Sequence, residues 1–215
     1  CGQDGNDTMA GNDGNDWMSG GNGHDHIRGN MGNDKIYGDA GNDLIAGDDG
    51  NDVLYGGDGD DWLEGGGGVD VLIDGAGNDT ILAGAGDESV VAGLGEDSLL
   101  GEAGNDTLDG REGRDTVGYW GPTGVVVNLA EGTSHVVEGA ESVAGNAGSD
   151  TLINIENVIG SQYDDVLIGD DNENWLEGRG GNDTIIGGDG LDTVSYRHLG
   201  FYGYWLYRYD CQFRG

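Results

Sequence analysis

The chain has 215 residues, of which 48 are glycine, 42 are acidic and 8 are Lys or Arg, giving a formal net charge of −34. Such a charge disfavours nucleic-acid binding, because contacts to phosphate need Lys and Arg, and so much glycine disfavours a helical bundle. One proline is too few for collagen, and no apolar run reaches the roughly 20 residues that span a bilayer. Acidity and glycine alone are typical of a disordered chain, so the order of the residues decides between disorder and a fold.

Residues 2–118 divide into thirteen consecutive nonapeptides without a gap. When the nine positions of each unit are numbered, position 4 is glycine and position 8 is Met, Ile, Leu or Val in all thirteen units. Position 6 is aspartate except at Glu88, and position 1 is glycine in ten units, the exceptions being Asp74, Ala83 and Ala92. Glycines suit tight turns, and positions 7 to 9 alternate as in a short strand with one buried side chain. The pattern therefore predicts a repeating turn and strand.

The repeat buries too little apolar surface to hold itself together. One aliphatic side chain per nine residues contributes about 2 kcal/mol, whereas fixing the backbone costs about 1–2 kcal/mol for each residue. The spacing also stacks the position 6 carboxylates, which repel one another. A hard divalent cation would remove that repulsion and add its binding free energy to folding. Because carboxylate and carbonyl oxygens are the ligands that calcium prefers, the sequence predicts a fold that calcium completes.

A second, shorter block of repeats follows the first, which occupies residues 1–118. Four further units lie in residues 160–195. Their pattern is weaker, since Tyr163 and Asn172 replace glycine at position 4 and Asn174 replaces aspartate at position 6.

The two blocks are separated by residues 119–159, which break the nonapeptide spacing and are predicted to form a linking β segment. Residues 124–133 predict a strand and a turn, and residues 149–161 predict strands that lead back into the repeat.

The aromatic tail, residues 196–215, could be a cap over the end of the fold, a recognition surface or a non-native chain end.

The units resemble the GGxGxDxUx nonapeptides, with U an aliphatic residue, of RTX (repeats-in-toxin, hemolysin-type) calcium-binding proteins. The resemblance implies an all-β fold, a right-handed parallel β-roll or β-helix solenoid, with two nonapeptides in each coil. The two blocks of coils would be joined by the short linking segment. Calcium ions would lie between turns that are 18 residues apart.

The resemblance also implies a ligand set for each ion. One turn would give the carbonyls of positions 2 and 4 and the position 6 carboxylate, and the turn 18 residues on would give the carbonyls of positions 1 and 3 and its own carboxylate. One such site would consist of Gly21, Gly23 and Asp25 with Gly38, Ala40 and Asp43, and another of Asn30, Gly32 and Asp34 with Gly47, Asp49 and Asp52. The position 6 ligands would be Asp7, Asp16, Asp25, Asp34, Asp43, Asp52, Asp61, Asp70, Asp79, Asp97, Asp106, Asp115, Asp165, Asp183 and Asp192.

Pairing of the turns allows about thirteen ions at most, about eleven of them in the first block. Some sites are expected to be weaker than others. Glu88 is longer than aspartate, Asn174 lacks a charge, and all three exceptions at position 1 of the first block fall between Asp74 and Leu100. The stretch from Asp74 to Leu100 is therefore predicted to be the weakest part of the first block.

The resemblance implies a module of a bacterial protein that is secreted or held at the cell surface. It would stay unfolded in the cytosol, pass through a type I secretion apparatus, fold in extracellular calcium and stabilise a neighbouring domain.

One alternative is a structural or adhesive spacer that touches glycans weakly through Trp17, Trp62 and Trp175, which all occupy position 7. Another is the non-catalytic C-terminal part of an RTX protease, lipase or polysaccharide epimerase. No HExxH, GxSxG or GK[ST] motif is present, so the chain itself is predicted not to be an enzyme.

Overall fold

The computed structural model describes residues 1–137 and 148–195. Alternate nonapeptides form two facing β-sheets, and within each block of repeats a strand pairs in parallel with the strand 18 residues further on, as Trp17 pairs with Lys35 and Ile27 with Ile45. No residue in the described ranges is helical, so this part of the chain has no helix that could cross a membrane. The parallel β-roll predicted from the sequence is confirmed, with about ten turns.

The strands are six or seven residues long through most of the first block and mostly three or four residues long after it. In spatial order, the first sheet contains β1 (Gln3–Asp4), β3 (Trp17–Asn22), β5 (Lys35–Ala40), β7 (Val53–Asp58), β9 (Val71–Ile73), β11 (Ser89–Gly95), β13 (Thr107–Gly113), β17 (Thr151–Ile153), β16 (Thr133–Val136), β15 (Val125–Asn128), β19 (Val166–Ile168) and β21 (Thr184–Ile186). The second sheet contains β2 (Thr8–Asp13), β4 (His26–Met31), β6 (Leu44–Asp49), β8 (Trp62–Gly67), β10 (Thr80–Ala85), β12 (Ser98–Ala103), β14 (Thr116–Gly118), β18 (Asn157–Ile159), β20 (Trp175–Glu177) and β22 (Thr193–Ser195).

Three alternate positions of each unit face the interior. Side chains point to opposite faces along a strand, so the position 6 aspartate, the position 8 aliphatic residue and the glycine at position 1 of the next unit all point inward. In one unit these are Asp34, Ile36 and Gly38, and all three are buried. The core is consequently one aliphatic column on each sheet with a column of carboxylates beside it.

The position 4 glycine is required by the turn between the sheets. Gly23 has a φ of +136°, a backbone conformation that favours glycine. A Cβ atom at Gly23 would also lie 2.5 Å from the carbonyl carbon of Gly5 in the preceding coil. Successive coils therefore stack too closely at this turn for any side chain.

The described part of the linking segment, residues 119–137 and 148–159, does not interrupt the roll. In the second sheet, β14 pairs in parallel with β18, and β18 pairs with β20, so this sheet runs through both blocks. In the first sheet, β15 and β16 form an antiparallel hairpin between β17 and β19. The strand and turn predicted in 124–133 are confirmed. The aromatic tail, residues 196–215, and its three possible roles lie outside the described residues.

Candidate metal centres

The position 6 carboxylates form a hydrogen-bonded ladder along each edge of the roll. The backbone N–H of Asp25 donates to Oδ1 of Asp43 at 2.7 Å, and the N–H of Asp43 donates to Oδ1 of Asp61 at 2.7 Å. The same bond runs from Asp7 to Asp25, Asp16 to Asp34, Asp34 to Asp52, Asp52 to Asp70, Asp61 to Asp79, Asp79 to Asp97, Glu88 to Asp106 and Asp97 to Asp115. Each bond spans 18 residues, so one oxygen of each carboxylate is fixed against the preceding coil.

The second oxygen of these carboxylates has no protein partner. In the part of the chain that the structure describes, the Oδ2 atoms of eleven position 6 aspartates are buried without a hydrogen bond, namely those of Asp16, Asp25, Asp34, Asp43, Asp52, Asp61, Asp70, Asp79, Asp97, Asp106 and Asp115. Leaving one buried polar group unsatisfied costs about 1–3 kcal/mol, and more when the group is charged. The columns of Oδ2 atoms therefore need a positively charged partner that the protein does not supply.

A main-chain carbonyl converges on most of these unpartnered oxygens. A Cβ atom at Gly11, in position 1, would lie 2.5 Å from Oδ2 of Asp16 and 2.7 Å from the carbonyl oxygen of Gly29 in the next coil. The glycine therefore leaves free the space where a carboxylate and a carbonyl oxygen face each other. An all-oxygen set that combines both kinds of ligand suits calcium, so the residues present fit the ion that the sequence predicted.

The first predicted ligand set is brought together in part. Asp25 and Asp43 are joined by the ladder, and the Gly38 carbonyl lies 2.7 Å from the Cβ position of Gly20, next to Oδ2 of Asp25. The Ala40 carbonyl accepts the N–H of Gly23 at 2.8 Å. One of its two lone pairs is therefore already used. Gly21 lies in β3 opposite Asp39, and Gly23 forms the turn that follows.

The second predicted set, on the opposite edge, has the same arrangement. Asp34 and Asp52 are joined by the ladder, and the Gly47 carbonyl lies 2.6 Å from the Cβ position of Gly29, next to Oδ2 of Asp34. The Asp49 carbonyl accepts the N–H of Gly32 at 2.9 Å. The side-chain amide of Asn30, whose main-chain carbonyl is the predicted ligand, faces outward and donates to Asp48 at 3.1 Å.

Burial raises the pKa of the interior carboxyls. The pKa of Asp52 is raised to about 6 mainly by desolvation, with the Asp70 and Asp34 carboxylates adding to the rise and the hydrogen bond from Asp34 opposing it. The same causes raise the pKa of Asp79 to about 7. At Asp74, desolvation followed by the Asp79 and Asp61 charges raises the pKa to about 9. Ionising these columns is therefore unfavourable until a cation neutralises them.

Comparison with known families agrees with this geometry. The model of the RTX calcium-binding nonapeptide repeat matches residues 2–36, 28–63, 37–72, 64–99, 83–117, 136–153 and 159–194, which together are well over half of the chain. The chain belongs to the RTX calcium-binding repeat family. Comparison with curated proteins gives no significant match.

Two positions of this RTX roll were missed in the sequence analysis. The N–H of Asp106 donates to Oδ1 of Asp150 at 3.1 Å, and the N–H of Asp115 donates to Oε2 of Glu156 at 2.9 Å. Asp150 and Glu156 thus extend the two ladders into the linking segment. The sequence does contain a signal for Asp150, because residues 145–153, GNAGSDTLI, match the nonapeptide pattern with glycine at positions 1 and 4 and aspartate at position 6. Residues 154–159 form a shortened unit of six.

The second block satisfies its interior polar groups with protein partners. Asp165 accepts the N–H of Ser161 at Oδ2 and the Ser161 hydroxyl at Oδ1, both at 2.7 Å, and the N–H of Val125 at Oδ1 at 2.9 Å. Asn174 donates from Nδ2 to the Glu156 carbonyl at 3.0 Å. These side chains consequently need a cation less than their counterparts in the first block.

The last two predicted ligands lie near the end of the described chain. Oδ1 of Asp183 accepts the N–H of Asp165, and Oδ1 of Asp192 accepts the N–H of Asn174, both at 3.1 Å. Both aspartates are only partly buried. The ladder therefore reaches this end of the roll with its carboxylates closer to solvent.

Glu88 departs from the RTX pattern as its length predicted. Both of its carboxylate oxygens are buried without a hydrogen-bond partner. The ladder hydrogen bond, which a position 6 aspartate accepts from the preceding coil, is therefore missing at Glu88. Desolvation and the adjoining Asp106 raise its pKa to about 8. This unit is therefore a local defect in one ladder.

The three position 7 tryptophans do not form one surface. Trp17 lies in β3 of the first sheet, where its side chain is 75% exposed and meets Tyr37 edge-on at 6.3 Å. Trp62 and Trp175 lie in β8 and β20 of the second sheet. A glycan could not contact all three rings on one face.

Proposed function

We propose that this RTX β-roll is a folding module of a secreted or surface-exposed bacterial protein, and that it folds only when calcium binds outside the cell. The eleven buried Oδ2 atoms without partners carry the proposal. Each unsatisfied group disfavours the metal-free roll, and the neighbouring carboxylates repel one another. A cation between coils removes both costs, so its binding free energy becomes folding free energy.

The ion count follows from the same oxygens. One ion at each unpartnered Oδ2 gives about eleven ions, all in the first block. The two further ions expected in the second block have less support, because Asp165 and Asn174 already have protein partners. The proposal is therefore a calcium-loaded first block that continues into a second block held mainly by hydrogen bonds.

Calcium dependence would link folding to secretion. Extracellular calcium modules bind their ions at about 10⁻⁴ to 10⁻³ M, well above cytosolic concentrations. The chain would thus remain unfolded inside the cell, pass through a type I apparatus and fold outside, where it would stabilise a neighbouring domain. Its own role would be to bind calcium and not to catalyse a reaction. In support of this, the adjacent acids Asp60 and Asp61, which lie between β7 and β8, are not paired in one environment: Asp60 is exposed and Asp61 is buried.

Limited proteolysis of the full chain tests the proposal. We expect rapid cleavage of residues 2–118 in chelator and in magnesium, and strong protection in millimolar calcium. Magnesium is the matched control, because it prefers a smaller and nearly octahedral set of ligands that keeps several waters. Equal protection in chelator and in calcium would contradict the proposal.

A further inference from the structure

Asp74 is an unusual residue for position 1, which faces the interior and is glycine in most units. Its side chain is only 8% exposed, and both carboxylate oxygens lack a hydrogen-bond partner. Strand β9 (Val71–Ile73) ends immediately before it, whereas the neighbouring β7 and β11 continue through the same position. This coil therefore adds buried carboxyl oxygens from position 1 to the position 6 carboxylates and main-chain carbonyls that the other coils present.

The Asp74 carboxylate takes the place of a main-chain ligand. At Gly20, the Cβ position is flanked by Oδ2 of its own position 6 aspartate and by the carbonyl oxygen of Gly38 in the next coil. At the corresponding Gly56, the nearest atoms are Oδ1 of Asp74 and, at 2.7 Å, Oδ2 of Asp61. A carboxyl oxygen of a side chain thus stands where coils such as that of Gly20 present a main-chain carbonyl.

Three carboxylates meet at this point. Asp61, Asp74 and Asp79 each offer an oxygen, and the three atoms lie within 4.8 Å of one another. Two ligands bound to one calcium ion at 2.3–2.6 Å are at most about 5 Å apart, so a single ion can contact all three. The ion pairs that arginines make in the described ranges involve Asp48 and Asp109, which leaves this cluster without a cationic side chain.

We propose that Asp61, Asp74 and Asp79 form a three-carboxylate calcium centre that binds its ion more tightly than any other site of the roll. This inference rests on the proposed function. Affinity of calcium sites is set by the number of charged ligands and by their rigidity, and here three buried carboxylates replace the usual two. The stretch beginning at Asp74, which the sequence predicted to be the weakest, would instead contain the ion that is bound first and released last.

Equilibrium dialysis of the full chain with radioactive calcium tests the proposal. The variants are Asp74→Gly, which restores the common residue, and Asp74→Asn, which keeps the size and removes the charge. Asp60→Asn is the matched control, because it removes one charge from the same turn at an exposed position whose oxygen accepts the N–H of Asn78. Far-UV circular dichroism in saturating calcium checks that each variant folds.

We expect both Asp74 variants to require about tenfold more free calcium to bind the first ion, with the control within about twofold of the wild type. Equal or tighter binding by Asp74→Gly or Asp74→Asn would overturn the three-carboxylate centre and leave the proposed function intact. A wild-type chain that binds no calcium would overturn both. If Asp74→Gly fails to fold in saturating calcium, Asp74→Asn decides the outcome alone.

Discussion

The first block and the second block belong to one roll, but their interior position 6 side chains differ in hydrogen-bond partners. In the first, Oδ2 of Asp52 is buried and unpartnered, and the position 8 side chain Leu54 is completely buried. In the second, Asp165 is surrounded by protein donors, whereas the position 8 side chain of its unit, Leu167, is as completely buried as Leu54. The same nonapeptide can therefore build either a cation-dependent coil or a coil held by hydrogen bonds, depending on what faces the position 6 side chain.

The largest expected effect comes from removing one carboxylate from each block. Asp52→Ala deletes an unpartnered oxygen and a ladder bond, so we expect the calcium midpoint of folding to rise by about tenfold. Asp165→Ala should leave the midpoint nearly unchanged but lower the free energy of unfolding by about 1–3 kcal/mol, since it leaves buried donors without an acceptor. Calcium titration and urea unfolding in saturating calcium measure the two quantities. Equal shifts of the calcium midpoint would remove the distinction between the blocks.

A position 1 substitution gives the next largest effect. In Gly38→Ala the new Cβ would lie 2.5 Å from the Gly56 carbonyl oxygen and 3.1 Å from Cδ1 of Ile45, so we expect a loss of about 1–3 kcal/mol from overpacking. The second-block counterpart, Gly187→Ala, meets chiefly the Asp192 side chain, which is partly exposed and can move. Thermal unfolding of both variants in calcium measures the difference. A smaller loss for Gly38→Ala than for Gly187→Ala would contradict the packing described for the two blocks.

Acidification should partly replace calcium in the first block. Burial raises the folded-state pKa of Asp52 to about 6 and of Asp79 to about 7, above the roughly 3.9 of an unfolded aspartate. The folded state therefore binds more protons in this window, so its stability is greatest below about pH 4 and is lost as the pH rises through 6 to 7. In calcium-free buffer we expect the β signal in circular dichroism to grow between pH 7.5 and pH 5. A β signal that falls on acidification would contradict the predicted direction of the pH dependence.

The smallest expected effect is the repair of the defect at Glu88. Glu88→Asp should restore an acceptor to the ladder and stabilise the calcium-loaded roll by about 0.5–1.5 kcal/mol. Urea unfolding in saturating calcium measures the gain. The matched control, Glu96→Asp, shortens an exposed acid in the next unit and should change nothing. A loss of stability in Glu88→Asp would mean that the glutamate is adapted to its site and is not a defect.

Much of the fold could be predicted because each position of the nonapeptide has one physical role. Glycine at Gly23, the aliphatic side chain of Ile27 and the carboxylate of Asp25 are where the pattern placed them. The hairpin of β15 and β16 could not be predicted to join the first sheet, because that pairing is between distant segments and depends on how the second sheet continues past it.

Two features of the candidate sites also escaped the sequence analysis for physical reasons. The sequence predicts Asp165 as a calcium ligand, and it does not show that the N–H of Val125, 40 residues away, also donates to this carboxylate. In the sequence pattern Asp74 is only a loss of glycine, because its proximity to Asp61 and Asp79 appears only when position 1 faces inward and the coils are stacked.

Far-UV circular dichroism of the full chain during a calcium titration, with magnesium as the control, tests the central claim most directly. We predict a coil spectrum in chelator and in magnesium, and a cooperative change to β structure at about 10⁻⁴ to 10⁻³ M calcium, the range of extracellular modules. A spectrum that is already rich in β structure in chelator at neutral pH would contradict it, because the buried carboxylates would then be tolerated without a cation.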